Sequence, residues 1–411
     1  MRNLYSRNTA RYYILVAVFL AFLFFSNDFG LIDVQKTAIV TAVAIDKEEN
    51  EFVLTSQIAI PQNSTQGKST QAVQLVSRGK TISEAFEQIN AKTGWYPKLV
   101  FCKLLLLGED TAKQNVFDAL DFFLLDEYLT DGCQVAVCNG KAKDILDVSA
   151  LVDATSGLAI EKVLSAHAER VGAVKPSTLK DFAIGYFGDD GSGLLPVLKK
   201  EKQQEDTGSS SEKKSSKPSP SGASKQNGGM QNSSQQAQQE KEKPVFSAKE
   251  TALFVNGIWK GTLTAEETFA VNAATSKLRL ASYSVDYQGE TCTLTVKHNT
   301  PKINLTVGQE GDGSVKIKLT MTAGISDYSK ALDLNKLSDV GDVPDGIFAA
   351  AEKKLAASLS TAYEKARAVG CDVFGIKERL VKYKSRKYHT LADTILDKTT
   401  LLVDVRFEGV R

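Results

Sequence analysis

The order of apolar and polar positions divides the chain before any motif is considered. Tyr12–Phe25 reads YYILVAVFLAFLFF, apolar on every face, and follows Arg2, Arg7 and Arg11 with no acidic residue among them. The run is shorter than the ~20 residues a bilayer core needs; continuing through Ser26-Asn27-Asp28 to Ile32 reaches that length. The basic flank predicts an N-terminus in the cytoplasm and a body outside. A cleaved signal peptide is the rival reading. Bulky Phe24 and Phe25 stand where small residues would be needed, which favours an uncleaved anchor over residues 1–32. No cysteine precedes Cys102, so none is available there to carry a lipid.

Residues 199–244 are the opposite extreme. Apart from Met230 and two alanines, KKEKQQEDTGSSSEKKSSKPSPSGASKQNGGMQNSSQQAQQEKEKP holds no apolar side chain. Such a stretch cannot bury enough surface to offset its ordering entropy. It predicts a disordered polar tether between an N-terminal region, 33–198, and a C-terminal region, 245–411.

In the N-terminal region, Lys36–Ile45 and Glu51–Ile60 predict a strand pair around the polar turn Lys47–Asn50, and Gln71–Ser77 a third strand. Thr81-Ile82-Ser83-Glu84 is a capping box opening a helix that Gly94 closes. Leu99–Leu107 predicts a strand buried on both faces, 112–125 a helix, and Gln134–Cys138 a strand. Helical stretches follow from Lys141, across Ile160–Arg170 and from Lys175; Gly193–Leu198 closes the region.

In the C-terminal region, Val245–Asn256 and Gly257–Leu263 predict a hairpin turning at Asn256-Gly257. Thr291–Lys297, Lys302–Val307 and Ser314–Ala323 alternate as strands, Ile347–Val369 is a long helix ended by Gly370, a second helix lies near Gly375–Lys387, and Thr399–Phe407 is a last strand. Antiparallel strands covered on one face by two helices satisfy this pattern. The fold class is α+β: multi-domain, mixed and antiparallel sheets with flanking helices.

Composition adds exclusions. Of 411 residues, 42% are hydrophobic and 24% charged, so a polytopic membrane protein, a coiled coil and a wholly disordered chain are excluded. Lys+Arg 50 against Asp+Glu 49 leaves no net field for nucleic acid.

The catalytic and metal templates fail. No phosphate loop and no H-E-x-x-H motif occurs; Gly308–Gly313, GQEGDG, lacks the spacing and the following helix. His167, His298 and His389 fall in separate elements, which argues against a metal site. Cys133 and Cys138 lie at odd spacing on one strand and so on opposite faces, and all five cysteines read as small buried hydrophobes. Ser177-Thr178-Leu179-Lys180 and Lys92-Thr93-Gly94 match S-x-x-K and K-T-G, but in reversed order and without S-D-N; Ser177 reads as a helix cap. Gly188-Asp189-Asp190-Gly191 lacks the ligand spacing of a calcium loop and reads as a solvated turn. No catalytic, cofactor-binding or metal residue is therefore assigned, and the expected role is binding or assembly.

Several segments in order resemble the C subunit of bacterial spore germinant receptors, the Ger(x)C family. Ala38–Lys47 is similar to its first strand ending in Ile-Asp, Ser77–Ile89 to its Gly-x-Thr-x-x-Glu-Ala helix start, and Lys103–Leu120 to its strand, Gly-Glu and helix. Gly193–Leu198 is similar to its Leu-Pro segment, Val245–Thr268 to the opening of its C-terminal region, Gly370–Gly375 to its Asp-x-Phe-Gly signature and Val403–Gly409 to its last strand. The resemblance implies three α+β domains, with a subdivision near residue 325, and no catalytic residues. It also implies a non-enzymatic subunit on the outer face of the spore inner membrane, assembled with two polytopic membrane subunits to trigger germination. Family members carry a lipid-modified cysteine near the start; Ser26-Asn27-Asp28 stands there, so attachment falls to the apolar helix. The alternative is an extracytoplasmic solute-binding component of a transporter, and a third reading is a cell-wall hydrolase or transpeptidase using Ser177.

Overall fold

The computed structural model describes residues 11–21, 37–59, 72–148, 153, 155–165, 168, 170–202, 244–309, 311–328 and 345–410. Residues 11–21 form helix α1, the described part of the expected anchor; 22–36 lie outside the described residues. Among the described residues no helix is long and apolar enough to cross a membrane.

A nine-stranded mixed sheet dominates, in the order β3-β2-β1-β5-β6-β7-β8-β9, with β4 beside β1. Its strands are β1 Thr37–Glu48, β2 Glu51–Ala59, β3 Ala72–Gly79, β4 Tyr96–Lys98, β5 Leu104–Leu107, β6 Gln134–Cys138, β7 Ser192–Lys202, β8 Pro244–Val255 and β9 Ile258–Leu263. β1, β5, β6 and β7 run parallel, flanked by antiparallel pairs on both sides. The helices between them are α2 Ile82–Thr93, α3 Glu109–Ala112, α4 Phe117–Leu125, α5 Ala142–Leu146, α6 Ser156–Val163 and α7 Leu179–Phe187. They form two layers. Leu105 and Leu107 of β5 join one core with Phe86, Phe123 and Phe182 from α2, α4 and α7. Leu104 and Leu106 join the opposite core with Ile145 and Ile160 from α5 and α6. A strand buried on both faces reads as an unbroken apolar run, which is why Leu104–Leu107 carries no alternation.

Three expectations shift here. The strand expected over Leu99–Leu107 is strand only from Leu104, as β5; residues 99–103 are a turn that follows the unexpected short strand β4. The helix expected over 112–125 is α3 and α4. The parallel run is more regular than the sequence suggests, because helices as short as α3 and α5 hold too few turns for a periodic stripe.

The polar segment does not separate two halves of the sheet. β7 and β8 pair along their whole length, from Ser192↔Val255 to Lys202↔Pro244, so residues 203–243, outside the described residues, connect adjacent strands. The sequence predicts the solubility of that segment but not where its two ends lie.

The second sheet has four strands in the order β10 Ala281–Tyr287, β11 Glu290–Val307, β12 Gly313–Tyr328 and β13 Thr399–Gly409. β12 and β13 are parallel rather than antiparallel. The crossover between them carries α9 Asp345–Ala368, α10 Ile376–Leu391 and α11 Ile395–Lys398, and a helical crossover returns a strand in the same direction. Met321 before position 325 and Leu355 and Phe407 after it share one core. β11 is continuous where two strands were expected, with a bulge between Val296 and His298. Pro301 is tolerated because β10 ends its pairing at Val296, leaving β11 a single neighbour there.

α8, Ala265–Thr275, joins the two sheets. Thr264 caps it in a complete capping box with Glu267, and Glu267–Ala274 are buried without interruption. It packs on β8, β9, β11, β12 and α9.

Candidate functional site at the junction of the two sheets

Two turns singled out in the sequence meet in space. Gly188–Gly191 leads from α7 into β7, and Gly370–Gly375 leads from α9 into α10. Ser192 Oγ accepts a hydrogen bond from the Asp372 N–H at 2.9 Å. Asp372 Oδ2 accepts from the Lys377 N–H at 2.8 Å, so the carboxylate ties down the first turn of α10. Its Oδ1 is buried without a hydrogen-bond partner. Asp190 lies close enough to feel that charge. Burial first, and then the Asp372 charge, push the Asp190 carboxyl above its ordinary range. Burial also raises Asp372, against the lowering by the amides of Ile376, Lys377 and Phe374. Beside them the Cys371 thiol is pushed up to about 12, chiefly by burial. Asp189 accepts from Tyr388 of α10 and raises its phenol.

The backbone of this junction needs its glycines at two points. Gly370 ends α9 at φ 79 and Gly375 precedes α10 at φ 63, both left-handed. From the other side, the Asn256 N–H donates to the Gly191 carbonyl at 2.8 Å, which docks the β8–β9 turn on the same loop. Gly188–Gly191, read as a solvated turn, is therefore a docking loop.

A second polar knot closes the C-terminal ends of the parallel strands. Asp46 at the end of β1 accepts from the N–H groups of Ala142 at 2.7 Å and Lys143 at 3.0 Å, capping α5. Gly108, after β5, leaves that carboxylate its room: a Cβ there would sit 2.1 Å from Asp46 Oδ1. Glu109 exchanges two bonds with Gly140 after β6, its N–H donating at 2.8 Å and its Oε2 accepting at 2.9 Å. The Ile-Asp and Gly-Glu pairs that carry the resemblance are thus the two halves of one strand-end clamp.

The candidates from catalytic templates stay apart. Ser177 is buried and its hydroxyl donates to the Thr178 carbonyl, while Lys180 pairs with Asp131 at 2.8 Å. The cap of α7 is Thr178, not Ser177: its Oγ1 accepts from the Asp181 N–H at 3.1 Å. Lys92 and Thr93 end α2, and Gly94 closes it at φ 72. His298 sits beside Thr322 on the second sheet and His389 against Tyr388; His167 lies outside the described residues. Among the described residues no group of three His, Cys, Asp or Glu side chains is placed to hold a metal. All five cysteines are free and buried. Cys133 and Cys138 point into opposite cores, and Cys133 lies against Cys102, which with burial raises its thiol.

Two concavities add surface features that the sequence did not disclose. One of about 960 Å³ is lined by Lys297, His298, Thr322, Glu352, Arg406 and Glu408, with both charge signs present. The other, about 380 Å³, is mainly apolar and includes Ile39, Phe101, Gly157 and Leu158. Its only sequence signal is the cluster of large side chains in Trp95–Phe101, between α2 and β5.

Comparison with known proteins supports the same assignment. Residues 31–200 match the family described as "Spore germination protein N-terminal domain", and residues 249–408 match "Spore germination B3/ GerAC like, C-terminal". Spore germination protein B3 of Bacillus subtilis (strain 168) is 29% identical over 119 residues, 28% of this chain and 31% of that protein, so the similarity spans about a third of the relative. The crystal structure of the GerBC protein shares the fold at a TM-score of 0.50 and 16% identity, covering 89% of this chain and 96% of that one. The two matched regions meet in one sheet at β7 and β8, and the chain belongs to the GerAC-like family of spore germination proteins.

Proposed function

We propose that this protein is a non-enzymatic subunit of a nutrient germinant receptor. It acts through assembly with two polytopic membrane subunits and needs no chemistry of its own. The observation that carries this reading is the ordered match of both family regions, 31–200 and 249–408, to a chain whose polar clusters are spent on structure. Asp46, Glu109 and Asp372 each accept backbone N–H groups, and Ser177 and Lys180 engage separate partners. Residues 1–32 hold the chain in the spore inner membrane with the body on the outer face, an orientation supported by the three arginines before Tyr12.

The test is dipicolinic acid release from spores lacking the gene, challenged with a nutrient panel and with a membrane-perturbing amine. Loss of one nutrient response with an intact amine response is the expected result. Unchanged responses to every nutrient, together with absence of the protein from spore membranes, would remove the proposal.

A further inference from the structure

Exposed aromatic side chains gather at one end of the nine-stranded sheet, the end at which β1 begins. Tyr96 is the register partner of Thr37, the first residue of β1. Trp95 is 44% exposed and Tyr96 48%. In the turn before β5, Phe101 is 56% exposed, and Val100 is exposed beside it. Tyr128 stands exposed under the Lys98 ammonium, which sits 4.3 Å from its ring centroid. Among the described residues all five side chains are exposed. The group combines the residue types that settle at a membrane–water boundary, amphipathic rings with lysines beside them.

The position of the group in the chain names its occupant. Helix α1 is apolar and its side chains from Tyr12 to Leu20 are exposed. Between α1 and Thr37 lie residues 22–36, which span at most roughly 50 Å fully extended. The end of the fold that carries the aromatic group is therefore the end tethered nearest to α1. Asp126 and Glu127 precede Tyr128, so the attraction is not one of bulk positive charge; ring partition into the headgroup layer supplies it. We infer that Trp95, Tyr96, Val100, Phe101 and Tyr128 form a second membrane contact, by which this end of the sheet rests on the bilayer beside the anchor. The inference rests on the reading of residues 1–32 as a membrane anchor. A fixed contact of this kind orients the junction of the two sheets relative to the membrane, where α1 alone would leave the body free to swing.

The chain holds two tryptophans, Trp95 and Trp259, which makes the contact measurable. The full chain is reconstituted into phosphatidylcholine–phosphatidylglycerol vesicles as the Trp259→Phe and Trp95→Phe variants, with lipids brominated near the headgroup end of the acyl chain. Flotation with the vesicles reports the anchor, and quenching reports the contact. The expected result is flotation of both variants, with emission of the Trp259→Phe chain falling by about half and that of the Trp95→Phe chain unchanged, because an interfacial ring lies at that depth. A Tyr96→Asp, Phe101→Asp double substitution in the Trp259→Phe chain should keep flotation and abolish the quenching. Flotation without quenching of Trp95 overturns the second contact and leaves the anchor standing. Absence of flotation overturns both. A Trp95 that is unquenched in vesicles and becomes shielded only when other spore-membrane proteins are co-reconstituted would make this a protein-docking face and likewise overturn the inference.

Discussion

Lys202 and Pro244 stand opposite each other at the open end of the β7–β8 pair, although residues 203–243 separate them along the chain. The pairing makes the polar segment a connection between neighbouring strands. Its length costs loop-closure entropy and does not serve to span a distance. Replacing 204–242 by a four-residue Asn-Gly-containing turn shortens the connection about sevenfold, which the logarithmic closure law converts to roughly 1.7 kcal/mol of added stability. The urea midpoint should rise with the slope unchanged. A fall in stability, or two separated transitions, would show that the segment is required to hold two independent halves apart.

The buried acids at the junction give a pH prediction with a definite sign. Asp372 and Asp190 both titrate above their ordinary value in the folded protein. The folded state therefore holds their protons more tightly than the unfolded chain. Their contribution to stability is fully present below about pH 4, the unfolded value, and is lost as pH rises through the folded values. Asp372→Asn removes one charge and relieves Asp190. The stability of this variant relative to the parent should improve as pH rises from about 4 through the folded values of the two acids and level off above them, read from denaturant midpoints at each pH. A constant difference across that range would mean that Asp372 does not titrate differently on folding.

The strand-end clamp predicts non-additivity. Gly108→Ala places a methyl 2.1 Å from Asp46 Oδ1 and should cost about 2–3 kcal/mol by overpacking. Asp46→Ala strands the amides of Ala142 and Lys143 and should cost a similar amount, ~1–3 kcal/mol. With the carboxylate gone, the added methyl has somewhere to go. The double variant should therefore be at least ~1 kcal/mol more stable than the sum of the single losses predicts. Simple additivity would show that the backbone moves at Gly108 and not the carboxylate.

Local signals were the legible ones. Thr81 accepts from the Glu84 N–H as its capping box predicts, and Asn256-Gly257 turns the β8–β9 hairpin with φ 50 and 73. α8 went unread despite Thr264 and Glu267 standing at capping-box spacing, because a helix buried on every side has no polar face to set a period. Thr291–Lys297 and Lys302–Val307, expected as two strands, are one strand β11, which runs through Pro301 because an edge position asks for no N–H there. The junction was illegible for a different reason. Asp190 and Asp372 are far apart in sequence, and each resembled an ordinary turn residue until the sheets brought the two turns together. The Ile-Asp and Gly-Glu pairs were recognisable by resemblance, but their reciprocal roles appear only in the register of β1, β5 and β6.

Asn272 tests whether the two sheets fold as one unit. From the middle of α8, its Nδ2 donates to the carbonyls of Gly172 at 3.1 Å and Val174 at 2.8 Å, in the segment leading to α7. Val174 itself packs in a core of the first sheet, whereas Ala273 and Ala274 beside Asn272 belong to the core of the second. Asn272→Ala leaves two buried carbonyls without donors, and at ~1–3 kcal/mol for each the total loss should be about 2–6 kcal/mol. The loss should be shared. Trp95 and Trp259 both belong to the first sheet, so the reporter for the second is Tyr328→Trp in β12, introduced into a chain whose two tryptophans are replaced by Phe. If α8 couples the sheets, both reporters should show one coincident unfolding midpoint, lowered equally by the substitution. If the midpoint read at Tyr328→Trp falls and the Trp95 midpoint stays, the sheets unfold separately and α8 belongs energetically to the second alone.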